Sequence, residues 1–221
     1  MDSMECTVHG VITSEKSDEF QQRLRAWCIA EDVPLEVHEI CLRSAPFDKV
    51  PSSEIRLLKY IEPQPASKED WTVRQHGMPM RGPASESLRC MVRGFTESWC
   101  KGSAIEFFHN IGFSPQFEMI RRGRQFPIDE SGVPLLVSVY QICKCTQDLK
   151  FESAAPLSSD HWVVEVSAIA TSETYQTASS AIGSLCDRPA VSSLVKLTKP
   201  HLPPGRPPPM IKPPSYTVKK E

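Results

Sequence analysis

The sequence has no long apolar run, no surplus of charge of either sign and no phosphate-cradling glycine loop. Each absence removes a class of function. The longest apolar stretch, Pro134-Leu135-Leu136-Val137-Ser138-Val139-Tyr140, falls far short of the about 20 residues a membrane-spanning helix needs. Net charge is −2 over 221 residues, so no overall field draws the chain toward nucleic acid or anionic lipid. Met1 to Thr7 carries Asp2 and Glu5 and lacks the basic-then-apolar pattern of a secretory leader. No G-x-x-x-x-G-K-[ST], G-x-G-x-x-G or G-x-S-x-G occurs, so the sequence signals of P-loop, dinucleotide and serine-hydrolase sites are missing.

Cysteine is present but not arranged for chemistry. Eight cysteines are scattered, most of them inside apolar runs such as Ile40-Cys41-Leu42 and Arg89-Cys90-Met91-Val92. They read as reduced thiols packed as small hydrophobes, in a chain of the cytosol or nucleus. Cys143-Lys144-Cys145 would place two sulfurs on one strand face, with His161 as a conceivable third ligand. A structural zinc site needs four, so packing thiols are the better reading. Glu36 and Glu39 are three apart and point to opposite faces of a strand. Asp129-Glu130 belongs to a polar turn, and the six histidines are dispersed. Neither a metal nor a cofactor is expected.

What is there is mostly strand. Met4–Thr13 alternates, with Cys6, Val8 and Ile12 opposite Glu5, Thr7 and His9. Leu35–Arg43 sets Leu35, Val37, Glu39 and Cys41 against Glu36, His38, Ile40 and Leu42. Ser53–Ile61, Trp71–His76, Ser87–Trp99, Val133–Cys145 and Trp162–Ala170 follow as strands. Gly123 predicts a hairpin between Phe113–Arg122 and Arg124–Ile128, which puts Arg121-Arg122-Gly123-Arg124 at its tip as solvated turn charges. Helices are predicted over Glu19–Ala30, capped by Ser17 or Asp18, and from Ser103 to Gly112, with a Ser103/Glu106 capping box. A further helix is predicted over Thr171–Leu185, capped by Thr171 or Ser172, and a short last element over Val191–Leu197.

Long antiparallel strands broken by two or three flanking helices predict an α+β, β-dominated domain over residues 1–198, with one curled sheet that closes as a barrel. Residues 199–221 are crowded with proline, including Pro203, Pro204, Pro207, Pro208 and Pro209. They read as a disordered or polyproline-II tail, in which two P-x-x-P matches could dock an aromatic groove. The strands Val133–Ile142 and Trp162–Ala170 are apolar on both faces, so their second face must be covered. The chain's own helices or a partner could do this, and Leu136, Tyr140, Val163 and Ile169 are the candidate partner-binding residues.

Ordered segments across about residues 4–197 resemble the Mediator subunit 18 family, most closely its plant-type members. They are Met4-Glu5-Cys6-Thr7-Val8-His9-Gly10, Val37-His38-Glu39-Ile40-Cys41-Leu42-Arg43-Ser44, Ser52-Ser53-Glu54-Ile55-Arg56-Leu57-Leu58, Trp71-Thr72-Val73-Arg74, Met80-Arg81-Gly82 and Met91-Val92-Arg93. Phe107-Phe108-His109-Asn110-Ile111-Gly112-Phe113, Arg122-Gly123-Arg124-Gln125-Phe126, Ala170-Thr171-Ser172-Glu173-Thr174-Tyr175 and Leu194-Val195-Lys196-Leu197 continue the order. The resemblance implies a multistranded β-barrel and a non-catalytic place in the Mediator head module. It also implies a heterodimer with Mediator subunit 20, docking of a helix from subunit 8, and a nuclear role next to RNA polymerase II. The family's barrel is similar to that of the tunnel triphosphatases, whose strands carry E-x-E-x-K around metal and triphosphate. The comparable strand here reads Glu5-Cys6-Thr7-Val8-His9, and Glu165-Val166-Ser167 lacks its second carboxylate. The rival reading, a metal-dependent tunnel triphosphatase, therefore has too few hard oxygen ligands.

Overall fold

The computed structural model describes residues 3–45, 53–62, 70–144 and 154–200. Its strands are β1 (Ser3–Thr13), β2 (Val33–Ser44), β3 (Glu54–Glu62), β4 (Asp70–Pro79), β5 (Met91–Lys101), β6 (Phe113–Glu130), β7 (Val133–Lys144), β8 (Ala155–Pro156) and β9 (His161–Thr171). They run in the order β6-β2-β3-β4-β5-β1-β9-β7, with the two-residue β8 appended to β7. A further pairing of β6 with β7 closes the sheet, and every pairing is antiparallel. The result is an eight-stranded barrel, which abolishes the exposed sheet edges of an open one.

The strand alternation sorts side chains between the inside of this barrel and its outer coat. Outward-facing Cys6, Val8 and Ile12 join Phe126, Ile128, Val137, Val139, Val164 and Val166 in the main apolar cluster. Helices α1 (Ser14–Arg25) and α4 (Tyr175–Asp187) cover it. Phe20 and Leu24 from α1, and Ala178, Ile182 and Leu185 from α4, supply the apolar stripes. A second outer cluster, Ile40, Leu42, Ile55, Leu57 and Trp71, lies with Ala104 and Phe108 of α3 (Ala104–Asn110). Two single-turn helices, α2 (Pro83–Glu86) and α5 (Pro189–Ser192), complete five helices among the described residues. That exceeds the two or three expected, because four-residue turns carry no periodic pattern.

Several boundaries differ from the sequence reading, for identifiable reasons. The first helix starts at Ser14 and ends at Arg25, earlier than Glu19–Ala30. β1 runs directly into it, and the amide of Ser14 donates to the Asp160 carbonyl at 2.9 Å. This tertiary partner does the work that a capping side chain would do. Ser17 lies buried within the helix and accepts from Gln21 at 3.1 Å. Likewise α4 begins at Tyr175, since Thr171 and Thr174 bond each other in the preceding turn. The Ser103/Glu106 capping box does not form; Ser103 makes no side-chain cap. The long fifth strand begins at Met91 rather than Ser87.

The largest correction concerns Gly123. No hairpin forms there: Phe113–Glu130 is one 18-residue strand that pairs with β2 on one side and β7 on the other. Gly123 sits opposite Tyr140, and a Cβ added to it would lie 2.0 Å from the Val139 carbonyl oxygen and 2.6 Å from Tyr140 Cα. The glycine is therefore needed for close approach within a strand.

At Gly10 the C-terminal segment crosses β1, where a Cβ would lie 2.7 Å from the Lys196 carbonyl oxygen. His9 and Thr198 exchange backbone hydrogen bonds of 2.9 Å there. Lys199 is still anchored, donating to the Ser85 carbonyl at 2.8 Å. The proline-rich tail from His201 onward lies outside the described residues, as does Cys145.

Candidate functional site in the barrel lumen

All eight barrel strands contribute to one cavity of about 590 Å³. On β1, Glu5, Thr7 and His9 share the inner face, as the alternation predicts. Around them stand Glu39 (β2), Arg56 and Leu58 (β3), Arg74 and His76 (β4), Arg93 (β5), Met119 and Arg121 (β6), Tyr140 (β7), and Val163 and Glu165 (β9). Lys196 and Thr198 reach it from the C-terminal segment.

The charges are paired across strands. Glu5 Oε2 accepts from Arg93 Nη2 at 2.8 Å and from its Nε at 3.1 Å. Its other oxygen accepts from Arg74 Nη1 at 3.3 Å. His76 Nε2 lies 3.4 Å away without hydrogen-bond alignment. Glu39, buried, accepts from Arg56 Nη1 at 2.7 Å and meets Arg121 Nη2 at 3.1 Å. Glu165 accepts from the Tyr140 hydroxyl at 3.0 Å and meets His9 Nε2 at 3.3 Å. Arg121 lies over the Tyr140 ring, 5.7 Å from its centroid.

These contacts set the protonation states. Burial would raise the Glu5 carboxyl, but His76 and Arg93 outweigh it and hold it at about 2. Burial likewise opposes the Glu165 carboxylate, and His9 and Arg121 pull it down to about 2. Burial, with the Glu165 charge behind it, pushes the Tyr140 phenol up. Arg121 is held above its ordinary value despite its burial, chiefly by Glu39. At neutral pH the lumen is thus a lattice of carboxylates and arginines, with a protonated phenol donating into it.

A pH dependence follows. Both folded-state values lie below the unfolded carboxylate range near 4.3. The unfolded chain therefore binds more protons as the medium is acidified. The stabilisation is complete above about pH 5 and is lost as pH falls toward 2. A thermal midpoint followed by circular dichroism should be level between pH 7 and 5 and fall steeply below. Glu165→Gln, which keeps an acceptor for Tyr140, should flatten that fall; an unchanged slope would refute the assignment.

The structure redistributes the residues singled out in the sequence. Arg121, Arg122 and Arg124 are not turn charges. Arg121 points into the lumen, while Arg122 donates outside it to Glu36 at 2.6 and 2.9 Å and Arg124 pairs with Asp32. Tyr140 and Val163 line the cavity, where the opposite barrel wall covers them. Leu136 is half-buried and Ile169 is 60% exposed. Cys143 is buried beside Ile120 and Ala154, and His161 Nδ1 meets Ser158 Oγ at 3.0 Å.

A divalent metal, the centre of a tunnel triphosphatase, does not fit this donor set. The carboxylate oxygens of Glu5 and Glu39 face arginines, and Glu165 faces Tyr140 and His9. Thr7, two positions on from Glu5 on the same face, supplies a hydroxyl and no second carboxylate. Among the described residues no group of three His, Cys, Asp or Glu is placed to hold a metal ion.

Fold and site together define a closed antiparallel tunnel barrel whose interior is cross-linked by arginine–carboxylate pairs. No protein-family profile matches the chain. It is 33% identical over 204 residues to the Arabidopsis thaliana protein "Mediator of RNA polymerase II transcription subunit 18", covering 92% of this chain and 90% of that one. The chain belongs to the Mediator subunit 18 family. Its fold matches a chain of the Schizosaccharomyces pombe Mediator head module with a TM-score of 0.72 at 16% identity, over 90% of this chain and all of that one. A Pyrococcus horikoshii protein shares the barrel more distantly, with a TM-score of 0.52 at 10% identity over 86% of this chain and 92% of that one.

Proposed function

We propose that the chain serves as a non-catalytic subunit of the Mediator head module in the nucleus, binding other Mediator subunits and helping to couple regulators to RNA polymerase II. The observation that carries this reading is the 33% identity to a Mediator subunit 18 along 92% of the chain. The lumen agrees with it, because its carboxylates are engaged by arginine, tyrosine and histidine and stand in no metal-ligand arrangement. In this reading subunit 20 is the heterodimer partner and subunit 8 contributes a docked helix.

Exposed apolar residues offer surface for such partners. Ile105, Phe107 and Ile111 on and just after α3, Phe117 on β6 and Ile169 on β9 are all at least 40% exposed, and exposed apolar patches mark interaction surfaces. Ile169 is the most accessible of the four candidate partner-binding residues. Leu136 is half-buried, and Tyr140 and Val163 could be reached only through the lumen.

The test is co-expression. Alone, the chain should give little soluble protein; with subunits 20 and 8 it should become soluble and co-purify in a stable complex. Failure to co-purify with either would sink the proposal.

A further inference from the structure

Cys6 and Cys90 are 84 positions apart, and the fold brings them together. Cys6 lies on β1 opposite Val92 of β5, and Cys90 comes two residues before Val92. Both join the main apolar cluster outside the barrel wall, at 0% and 1% exposure. Their thiols lie within hydrogen-bonding reach of each other. Helix α4 covers them. Cys6 Sγ donates to the Tyr175 carbonyl at 3.8 Å. The Ser179 hydroxyl accepts from the Arg89 amide at 2.8 Å and donates to Cys90.

The two sulfurs are not equivalent. Burial in apolar surroundings ordinarily pushes a thiol up. At Cys90 the Cys6 and Ser179 donors, with the Lys199 ammonium nearby, outweigh burial and hold the group at about 7. The Cys90 contact and burial push Cys6 up, so it keeps its proton. Cys186, half-buried on the same helix, is pushed up to about 11 by burial and is a poor nucleophile at neutral pH. A thiolate beside a thiol is the arrangement in which a peroxide-oxidised cysteine is resolved by its neighbour. We infer that Cys6 and Cys90 form a reversible disulfide when the chain meets a peroxide, with Cys90 as the attacking sulfur and Cys6 as the resolving one.

The Cys90 thiolate attacks one peroxide oxygen and the O–O bond breaks. The departing hydroxide takes up the proton that the thiol gave up and leaves as water. Cys90 is then a sulfenic acid. Cys6 Sγ attacks that sulfur, the S–O bond breaks, and the hydroxide leaves with the Cys6 proton as a second water. Two electrons pass from the two thiols to the peroxide. Both sulfurs are buried, so the reaction waits on α4 lifting from the wall. The new bond ties β1 to β5, which pair only over residues 4–7 and 91–94. The inference is independent of the Mediator assignment and can fail or stand without it.

The full chain, alone or in its co-expressed complex, is exposed to hydrogen peroxide in native buffer. Its remaining thiols are alkylated and its peptides mapped by mass spectrometry. A peptide pair linked through Cys6 and Cys90 should be the main product, formed at a rate independent of protein concentration and reversed by dithiothreitol. Cys6→Ser should lower its yield at least tenfold and leave Cys90 as a sulfenic acid that dimedone traps. Cys90→Ser should remove both the cross-link and the dimedone adduct. Cys100→Ser, beside the second outer cluster, should keep the full yield. Cys6 and Cys90 still reduced after Cys100 and Cys186 have been oxidised overturns the inference. So does a Cys6–Cys90 link that forms only in urea, or a link that joins Cys90 to Cys186 instead. Mapping of the unaltered chain decides the matter even where a serine variant does not fold.

Discussion

Glu5→Ala should lower the stability of this chain by about 3–5 kcal/mol, the usual loss when one partner of a buried ion pair is removed. A domain of this kind is stable by only about 5–15 kcal/mol in all, so the variant should unfold at a much lower urea midpoint or fail to accumulate. The reason is what Glu5 holds. Its two oxygens meet Arg93 and Arg74, with His76 3.4 Å away. Removing the carboxylate leaves Arg93 in the lumen without its acceptor and Arg74 with Glu97 alone. The sign of the effect also separates the two readings of the lumen. Carboxylates gathered for catalysis repel one another, and their removal commonly stabilises a fold. A carboxylate that neutralises arginines does the opposite. The double variant Glu5→Ala, Arg93→Met should recover part of the loss, because it removes one of the stranded charges along with its partner. An urea midpoint for Glu5→Ala at or above that of the unaltered chain would falsify the structural role.

Gly123→Val should have an effect at least as large, and its size tests the strand against the turn. At a hairpin tip the substitution would be worth about 1 kcal/mol. Within β6 the new Cβ meets backbone on β7: the Val139 carbonyl oxygen at 2.0 Å and Tyr140 Cα at 2.6 Å. Backbone cannot yield as a flexible side chain can, so relief requires β6 and β7 to part. That pairing, running from Ile120–Cys143 to Glu130–Val133, is the seam that closes the barrel. Overpacking in a core costs about 1–3 kcal/mol when neighbours can shift, and more when they cannot. The expected outcome is loss of soluble folded protein, and Gly123→Ala, which carries the same Cβ against the same backbone, should fail likewise. Near-normal stability of the valine variant, measured by urea unfolding, would restore the hairpin.

Much of the barrel was legible because strands announce themselves by alternation. β1, β2, β7 and β9 lie within a few residues of where alternation puts them, and the apolar second face of β7 and β9 is covered in part, at Tyr140 and Val163, while Ile169 on β9 is 60% exposed. What covers them was not legible. One face lies under α1 and α4; the other is closed off by the far wall of the barrel itself. The lumen also left one trace that alternation could have exposed. Glu39 falls on the same face as Leu35, Val37 and Cys41, and a carboxylate in an apolar stripe must be paired where it is buried. Its partners, Arg56 and Arg121, are 17 and 82 positions away along the chain, so local spacing could not have named them. Gly123 misled for a related reason: glycine marks both a turn and a close backbone approach, and only the neighbouring strand tells which.

The sequence by itself determined the class of the protein: strand-rich, without a phosphate loop or paired catalytic carboxylates, and carrying the ordered segments of its family. That information is local and periodic, and it survives in one dimension. Only the tertiary structure decided that the sheet closes, that Phe113–Glu130 is a single strand, and that Arg121 lies inside the barrel beside Glu39. Those facts depend on which strands become neighbours, and closure brings together charges far apart in the chain. Pairing among them is a property of the closed barrel and of no single segment.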